Sequence, residues 1–257
     1  MYNFKTVTYE ATGEQELVTY SRPIKEGFKR IEKEQHDEEI EQEPTKEISI
    51  EESMRKAEHS LNTSLNRTKQ TVYDYARANT WEWFITWTTD PRKVDRHNYQ
   101  QVSAKFSKWL SNTRSRKAPD LKYVIVPERH KDGAYHFHGL LANTGKMEFV
   151  DSGKKAKGMT IYNLDDWMLG FTTATQIQDT LKASNYITKY ITKDLIHHTK
   201  GRRRYWNSKN LDVGLVHKEM IDNIKVINDL YYESAKRAKK RVVTKADYRN
   251  EITYITL

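Results

Sequence analysis

The chain has 257 residues, enough for one sizeable domain with appendages or two small ones, and no cysteine; disulfides, thiolate zinc sites and cysteine nucleophiles are excluded, which fits an intracellular protein. Net charge is +9 but uneven: residues 1–52 hold 7 basic and 14 acidic side chains, so the other 205 carry +16, the electrostatic footprint of a protein that meets nucleic acid or an anionic membrane. No apolar run approaches the ~18 residues of a membrane span, and the first twenty residues hold no secretory signal.

Residues 1–52 read as an acidic amino-terminal arm. From Ile31 to Glu52 acids dominate, apolar spacing is poor and Pro44 interrupts any helix. Such a segment cannot bury enough apolar surface to offset its ordering entropy. A disordered segment, an arm lying over the basic body and a partner-binding tail all fit this composition. Residues 53–80 read as a helical lead-in, with Leu61, Leu65, Thr68, Val72 and Tyr75 at spacings of three and four.

The domain proper spans residues 81–211. Trp81, Trp83, Ile85 and Trp87 alternate with Glu82, Phe84, Thr86 and Thr88 as a strand that Asp90-Pro91 ends. Tyr99, Val102, Phe106, Trp109 and Leu110 then share a helical face. Leu121–Val126 is a β-branched strand, Pro127–Gly133 a polar turn and Ala134–Leu141 a second strand, together an antiparallel hairpin. Strands at Met159–Asn163 and Phe171–Ile177 follow, and Asp179 is placed to cap a helix running to about Leu195. Beyond a basic loop, residues 212–257 read as a basic helical extension with a helix near Lys218–Lys239. Hairpin-joined strands covered by helices predict an α+β domain around a central antiparallel sheet.

Tyr135-His136-Phe137-His138-Gly139 sets two imidazoles on one face of a strand, because strand side chains alternate with period two. Divalent metals that act on phosphates take oxygen and imidazole ligands in open sites. Glu128 ends the preceding strand on the same face as Val124 and Val126 and is the natural third ligand; His130, inside the turn, is the weaker rival. Taken alone, a His-x-His strand carries little weight, because most such pairs only decorate a surface.

Further along, Tyr186-Ile-Thr-Lys189-Tyr190-Ile-Thr-Lys193 repeats a tetrad, so on a helix the tyrosines form one stripe and the lysines another. A phenol has a pKa near ~10 and needs a neighbouring positive charge or a base to act as a nucleophile. A lysine three residues along supplies that charge; the alternative is a pair of core tyrosines with polar tips. Arg202, Arg203, Arg204, Tyr205, Trp206 and Lys209 combine charge for phosphates with rings for bases. Their competing reading is a solvated basic turn with its tryptophan docked on the core. Gly153-Lys-Lys-Ala-Lys-Gly-Met-Thr160 approaches a phosphate-binding loop, but Met159 stands where the lysine is needed.

Together and in this order, these segments resemble the HUH endonucleases, specifically the rolling-circle replication initiators of small phages and plasmids. Phe84-Ile-Thr-Trp-Thr-Thr89 looks like the family's structural first motif. Tyr135–Leu141 looks like its metal-binding strand, with Phe137 as the bulky residue between the histidines, and Tyr186–Lys193 like its nucleophile motif in both Tyr-x-x-Lys and paired-tyrosine forms. The likeness covers roughly Trp81 to Leu211 and includes Val126-Pro-Glu-Arg-His130 and Gly201-Arg-Arg-Arg-Tyr-Trp206.

The resemblance implies a ferredoxin- or RRM-like sheet and a Mg²⁺ or Mn²⁺ held by His136, His138 and Glu128. It also implies attack by Tyr186 or Tyr190, assisted by Lys189 and Lys193, on single-stranded or hairpin origin DNA, leaving a 5′-phosphotyrosine and a free 3′-hydroxyl. A cytoplasmic setting in a bacterial host cell, a host helicase and polymerase as partners, and no membrane are further expectations. Two other readings stay open: a relaxase or single-strand transposase with the same chemistry, and a non-catalytic nucleic-acid-binding regulator that keeps the fold.

Overall fold

The computed structural model describes residues 1–25, 49–222, 224–246 and 250–257. In chain order, β1 (Tyr2–Tyr9), β2 (Glu14–Ile24) and α1 (Ile50–Arg77) lead to β3 (Trp83–Thr89), α2 (Tyr99–Arg116), β4 (Lys122–Arg129) and β5 (Tyr135–Ala142). Next come β6 (Phe149–Ala156), β7 (Met159–Leu164), β8 (Gly170–Gln176), α3 (Thr180–Ile187), a 3₁₀ turn over Thr188–Tyr190 and α4 (Lys193–His198). The chain ends in β9 (Trp206–Asn207), β10 (Leu215–Glu219), α5 (Ile224–Arg237), β11 (Lys240–Ala246) and β12 (Asn250–Thr256). These divide into two units, residues 58–214 and a second unit of residues 1–57 with 215–257.

The larger unit is an α+β domain on an antiparallel seven-stranded sheet, ordered β6-β7-β8-β3-β5-β4-β9. Strand alternation sorts its side chains to two faces. On the odd-numbered face, Ile85, Trp87, Ile125, Phe137 and Leu141 join Val102, Phe106 and Leu110 of α2 in an aromatic-rich core. Phe137 stacks on Phe106 at 3.9 Å, and Trp206 meets both rings edge-on. On the even-numbered face, Val124, Val126 and Leu140 pack against Val72 and Ala76 of α1 and against Ile187, Ile191 and Leu195. Gly139 lies opposite Ile85 on one side and Ile125 on the other. A Cβ there would stand 2.8 Å from both Ile125 and Trp87, so only glycine lets those two side chains meet over β5.

The expected α+β antiparallel architecture is the one found, with helices against the sheet. β6 escapes a reading by alternation, because it is largely polar and exposed and carries a bulge between Asp151 and Lys154. It joins β7 through Lys157 and Gly158, both at positive φ (49° and 81°). The glycine- and lysine-rich stretch is therefore a β-hairpin turn. The helix expected from Asp179 starts as read, with the Asp179 carboxylate accepting from Lys182 N at 2.9 Å. It does not run on to Leu195. Ile191 is extended, and the Thr192 hydroxyl accepts from Leu195 N at 3.1 Å to cap a new helix.

In the smaller unit the two ends of the sequence pair with each other. Its antiparallel sheet runs β10-β1-β2-β12-β11, with β12 against β2 and β10 against β1. Residues 1–52 are thus no single arm. Tyr2–Ile24 form two strands whose Phe4, Val7, Tyr9, Leu17 and Val18 are buried, and Ile50 already opens α1. The acid-rich part of the expected arm falls largely on residues 26–48, which lie outside the described residues. Residues 212–257, expected as a helical extension, contribute three strands besides α5. Among the described residues no helix is long and apolar enough to cross a membrane.

Candidate active site

On the even-numbered face the aliphatic layer gives way to polar side chains drawn from three adjacent strands. Thr86 and Thr88 of β3 stand opposite His138 and His136 of β5, and Glu128 of β4 stands opposite His136 from the other side. Thr86 Oγ1 lies 3.0 Å from His138 Nδ1, and Thr88 Oγ1 lies 3.3 Å from His136 Nδ1. Each hydroxyl engages the inner ring nitrogen, which leaves Nε2 for other work. A carboxylate can only accept, so His138 Nε2 donates to Glu128 Oε2, at 2.7 Å. His130 Nε2 approaches the same oxygen at 3.3 Å, and its ring stacks on His136 at 4.0 Å.

Burial sets the charges here. Desolvation pushes His136 down to about 4, reinforced by the neighbouring His130 and His138. His138 is also lowered by burial, with partial opposition from Glu128. The hydrogen bond from His138 holds the Glu128 carboxyl below the usual carboxylate range, against its own desolvation. At neutral pH the cluster is two neutral imidazoles and a carboxylate, the protonation states that a divalent cation requires.

Among the described residues, no group of three or more His, Asp or Glu side chains is arranged to hold a metal ion. The reason is local: the His138 and Glu128 atoms that would ligate satisfy each other across 2.7 Å. The donor set fits a Mg²⁺ or Mn²⁺ in kind, and the threonine bonds orient it, but a hydrogen bond closes it.

The tyrosines reach this cluster because the segment carrying them is pinned from below. Ile187, Ile191 and Leu195 are fully buried against Val124, Val126 and Leu140. Tyr190 consequently lies flat on His138, with ring centroids 3.6 Å apart and an interplanar angle of 9°. Tyr186 meets Tyr190 edge-on at 5.5 Å and Phe84 at 5.2 Å. Burial raises the Tyr190 phenol well above its ordinary range, and its hydrogen bond with Tyr186 adds to that shift. Tyr186 is 45 % exposed, and Lys189 Nζ stands 5.1 Å from its ring centroid. Lys193 has no equivalent place. The helix break moves it onto α4, where its ammonium lies 3.5 Å from Glu58 of α1.

The basic loop divides in two. Arg202, Arg203, Arg204, Tyr205 and Trp206 line an open cavity of about 440 Å³ with Thr68 and Asn207. Arg202, Arg203 and Lys209 are exposed, as phosphate contacts must be. Trp206 is only 2 % exposed, and its Nε1 donates to Ser107 Oγ at 2.9 Å, so its ring belongs to the core and not to a base. Arg204 is partly spent on Ser64, and Tyr205 packs among the aliphatic residues of the even-numbered face.

Phe84, Thr86 and Thr88 are site residues that the sequence reading leaves in a structural strand. Their signal is parity: they share the even-numbered face with the histidines, but only the β3–β5 register makes them neighbours. Residues 82–195 match the family model of the ORF2-type replication-associated proteins. That span holds every residue of the cluster and both tyrosines, and it ends before the basic loop. No curated protein and no solved structure matches the chain.

Proposed function

We propose that this chain, which carries an ORF2-type replication-associated protein domain over residues 82–195, initiates rolling-circle replication by nicking and rejoining single-stranded origin DNA through tyrosine. One observation carries this reading above the rest: Tyr190 stacked on His138, with Tyr186 bonded beside it, joins two distant motifs into one site.

Tyr186 makes the first attack. It is the more exposed phenol, and the Lys189 ammonium near its ring opposes the charge of the developing phenolate. Its oxygen bonds to the scissile phosphorus as the P–O3′ bond breaks. One proton leaves the phenol and one is taken up by the departing 3′-oxygen. The products are a 5′-phosphotyrosine and a free 3′-hydroxyl, which a polymerase can extend. One phosphodiester is exchanged for another, so the strand can later be rejoined without ATP.

His136, His138 and Glu128 would hold Mg²⁺ or Mn²⁺, which when bound polarises the scissile phosphate and offsets its growing charge. Thr86 and Thr88 fix the two rings through Nδ1. Tyr190, kept protonated by burial, hydrogen-bonds Tyr186 and stands ready for a second cleavage once the first tyrosine is esterified. A relaxase or transposase would share this chemistry; the replication-associated family match favours the initiator.

The test is a cleavage assay on single-stranded oligonucleotides spanning the replicon's origin, with Mn²⁺ or EDTA, resolved on a denaturing protein gel. A metal-dependent covalent adduct is expected, absent from the Tyr186→Phe/Tyr190→Phe double variant. Binding of the same oligonucleotides with no adduct would transfer the domain to the non-catalytic reading.

A further inference from the structure

The histidine-bearing face of the sheet is covered on one side only. Helix α1 and the α3–α4 segment pack on β4 and β5. Beyond β3 the same face of β8, β7 and β6 lies open, and there Phe171 is 62 % exposed, Val150 52 % and Met159 37 %. A phenylalanine in mid-strand with most of its ring in water is an arrangement that usually marks a binding surface.

Its position is set by register. Glu128, His136, Thr88 and Phe171 form one row across four adjacent strands, β4, β5, β3 and β8, all on the even-numbered face. Neighbouring strands lie about 4.8 Å apart, so Phe171 stands roughly 10 Å from His136, beyond the threonine that holds it. Pairing of β8 with β7 and of β7 with β6 puts Thr173, Asn163, Val150 and Lys154 on this face as well. None of these is acidic, and Lys157 projects at the adjoining hairpin turn.

We propose that the open half-sheet β8-β7-β6 is the track for the single strand next to the scissile phosphate. Phe171 stacks on an unpaired base there, and Lys154 meets a phosphate. The proposal rests on the nickase reading for what lies at the other end of the row. Its occupant follows from the chemistry: a flat surface with an exposed ring and cationic, acid-free surroundings suits bases whose faces are free. In a duplex those faces are stacked within the helix, so the track selects single strands.

The full chain would be titrated into fluorescein-labelled dT20 in EDTA, followed by anisotropy, with Phe171→Ala, Phe171→Leu and Phe171→Trp alongside. Loss of the ring in the Ala and Leu variants is expected to weaken binding about tenfold, while Trp keeps wild-type affinity. Lys154→Ala should make the logarithmic salt dependence shallower by about 0.7. Phe171→Ala binding dT20 within about twofold of wild type would overturn the proposal, as would a Leu variant as good as Phe. So would a Phe171→Ala effect confined to self-association in sedimentation. The adduct assay separates this from the nickase reading. An adduct with Phe171-independent binding sinks the track alone, and Phe171-dependent binding without any adduct sinks the nickase alone.

Discussion

Phe137 and His138 are consecutive on β5, yet their surroundings differ completely. Phe137 is sealed between Phe106 and Trp206 on the odd-numbered face. His138 lies under Tyr190, with its two ring nitrogens taken by Thr86 and Glu128. The same contrast runs along β3, where Ile85 and Trp87 enter the aromatic core while Thr86 and Thr88 turn to the histidines. Alternation thus lets each strand serve as packing on one side and as chemistry on the other. A rigid aromatic layer behind the site is what holds its ring nitrogens in register.

If the division is real, substitutions on the two faces will fail in different ways. The largest effect is expected from Tyr186→Phe: adduct formation should fall to background in a gel assay, while urea unfolding stays within about 0.5 kcal/mol of wild type, because the side chain is half exposed. Phe137→Ala should do the reverse, costing about 3–5 kcal/mol in urea unfolding, since it empties the centre of the aromatic layer. Gly139→Ala should cost about 1–3 kcal/mol in the same measurement by forcing Trp87 and Ile125 apart. Thr88→Val preserves shape but leaves His136 Nδ1 without its hydroxyl. About a tenfold loss of Mn²⁺ affinity by titration calorimetry is expected, with little change in unfolding.

The smallest effect is one of pH. His136 titrates at about 4 in the fold against an ordinary 6.5, so between those values the unfolded chain binds more protons. Stability should therefore fall as pH drops from about 6.5 to about 4. Thermal unfolding in EDTA across that range checks it, and His136→Gln should flatten the curve.

How much of this can be read without coordinates differs by region. The histidine strand, its partner hairpin and the central strand announce themselves, because alternation of large apolar and polar residues is strong in Trp83–Thr89 and Tyr135–Ala142. Glu128 follows from parity alone. The helix break at Ile191 is harder, since Ile187, Ile191 and Leu195 keep a helical spacing through it and only the Thr192 cap betrays it. Lys193 is misplaced by the same cause.

The amino-terminal strands are hidden by averaging, as the acid-rich stretch that follows Tyr2–Ile24 swamps their alternation in any count over residues 1–52. Pairing between the chain's two ends is a contact of extreme sequence separation, which no local pattern encodes. Trp206 illustrates a further limit: an arginine-rich neighbourhood suggests a base-stacking ring, and only burial shows that it is core.

The most direct measurement is to locate the DNA on the protein. Trypsin cleaves after Lys182, Lys189 and Lys193, which places Tyr186 and Tyr190 on separate peptides. After a first turnover with Mn²⁺ and nuclease trimming, mass spectrometry should find the residual nucleotide on peptide 183–189. A nucleotide on neither peptide, or on a residue away from the even-numbered face, would contradict a tyrosine nickase built on that face.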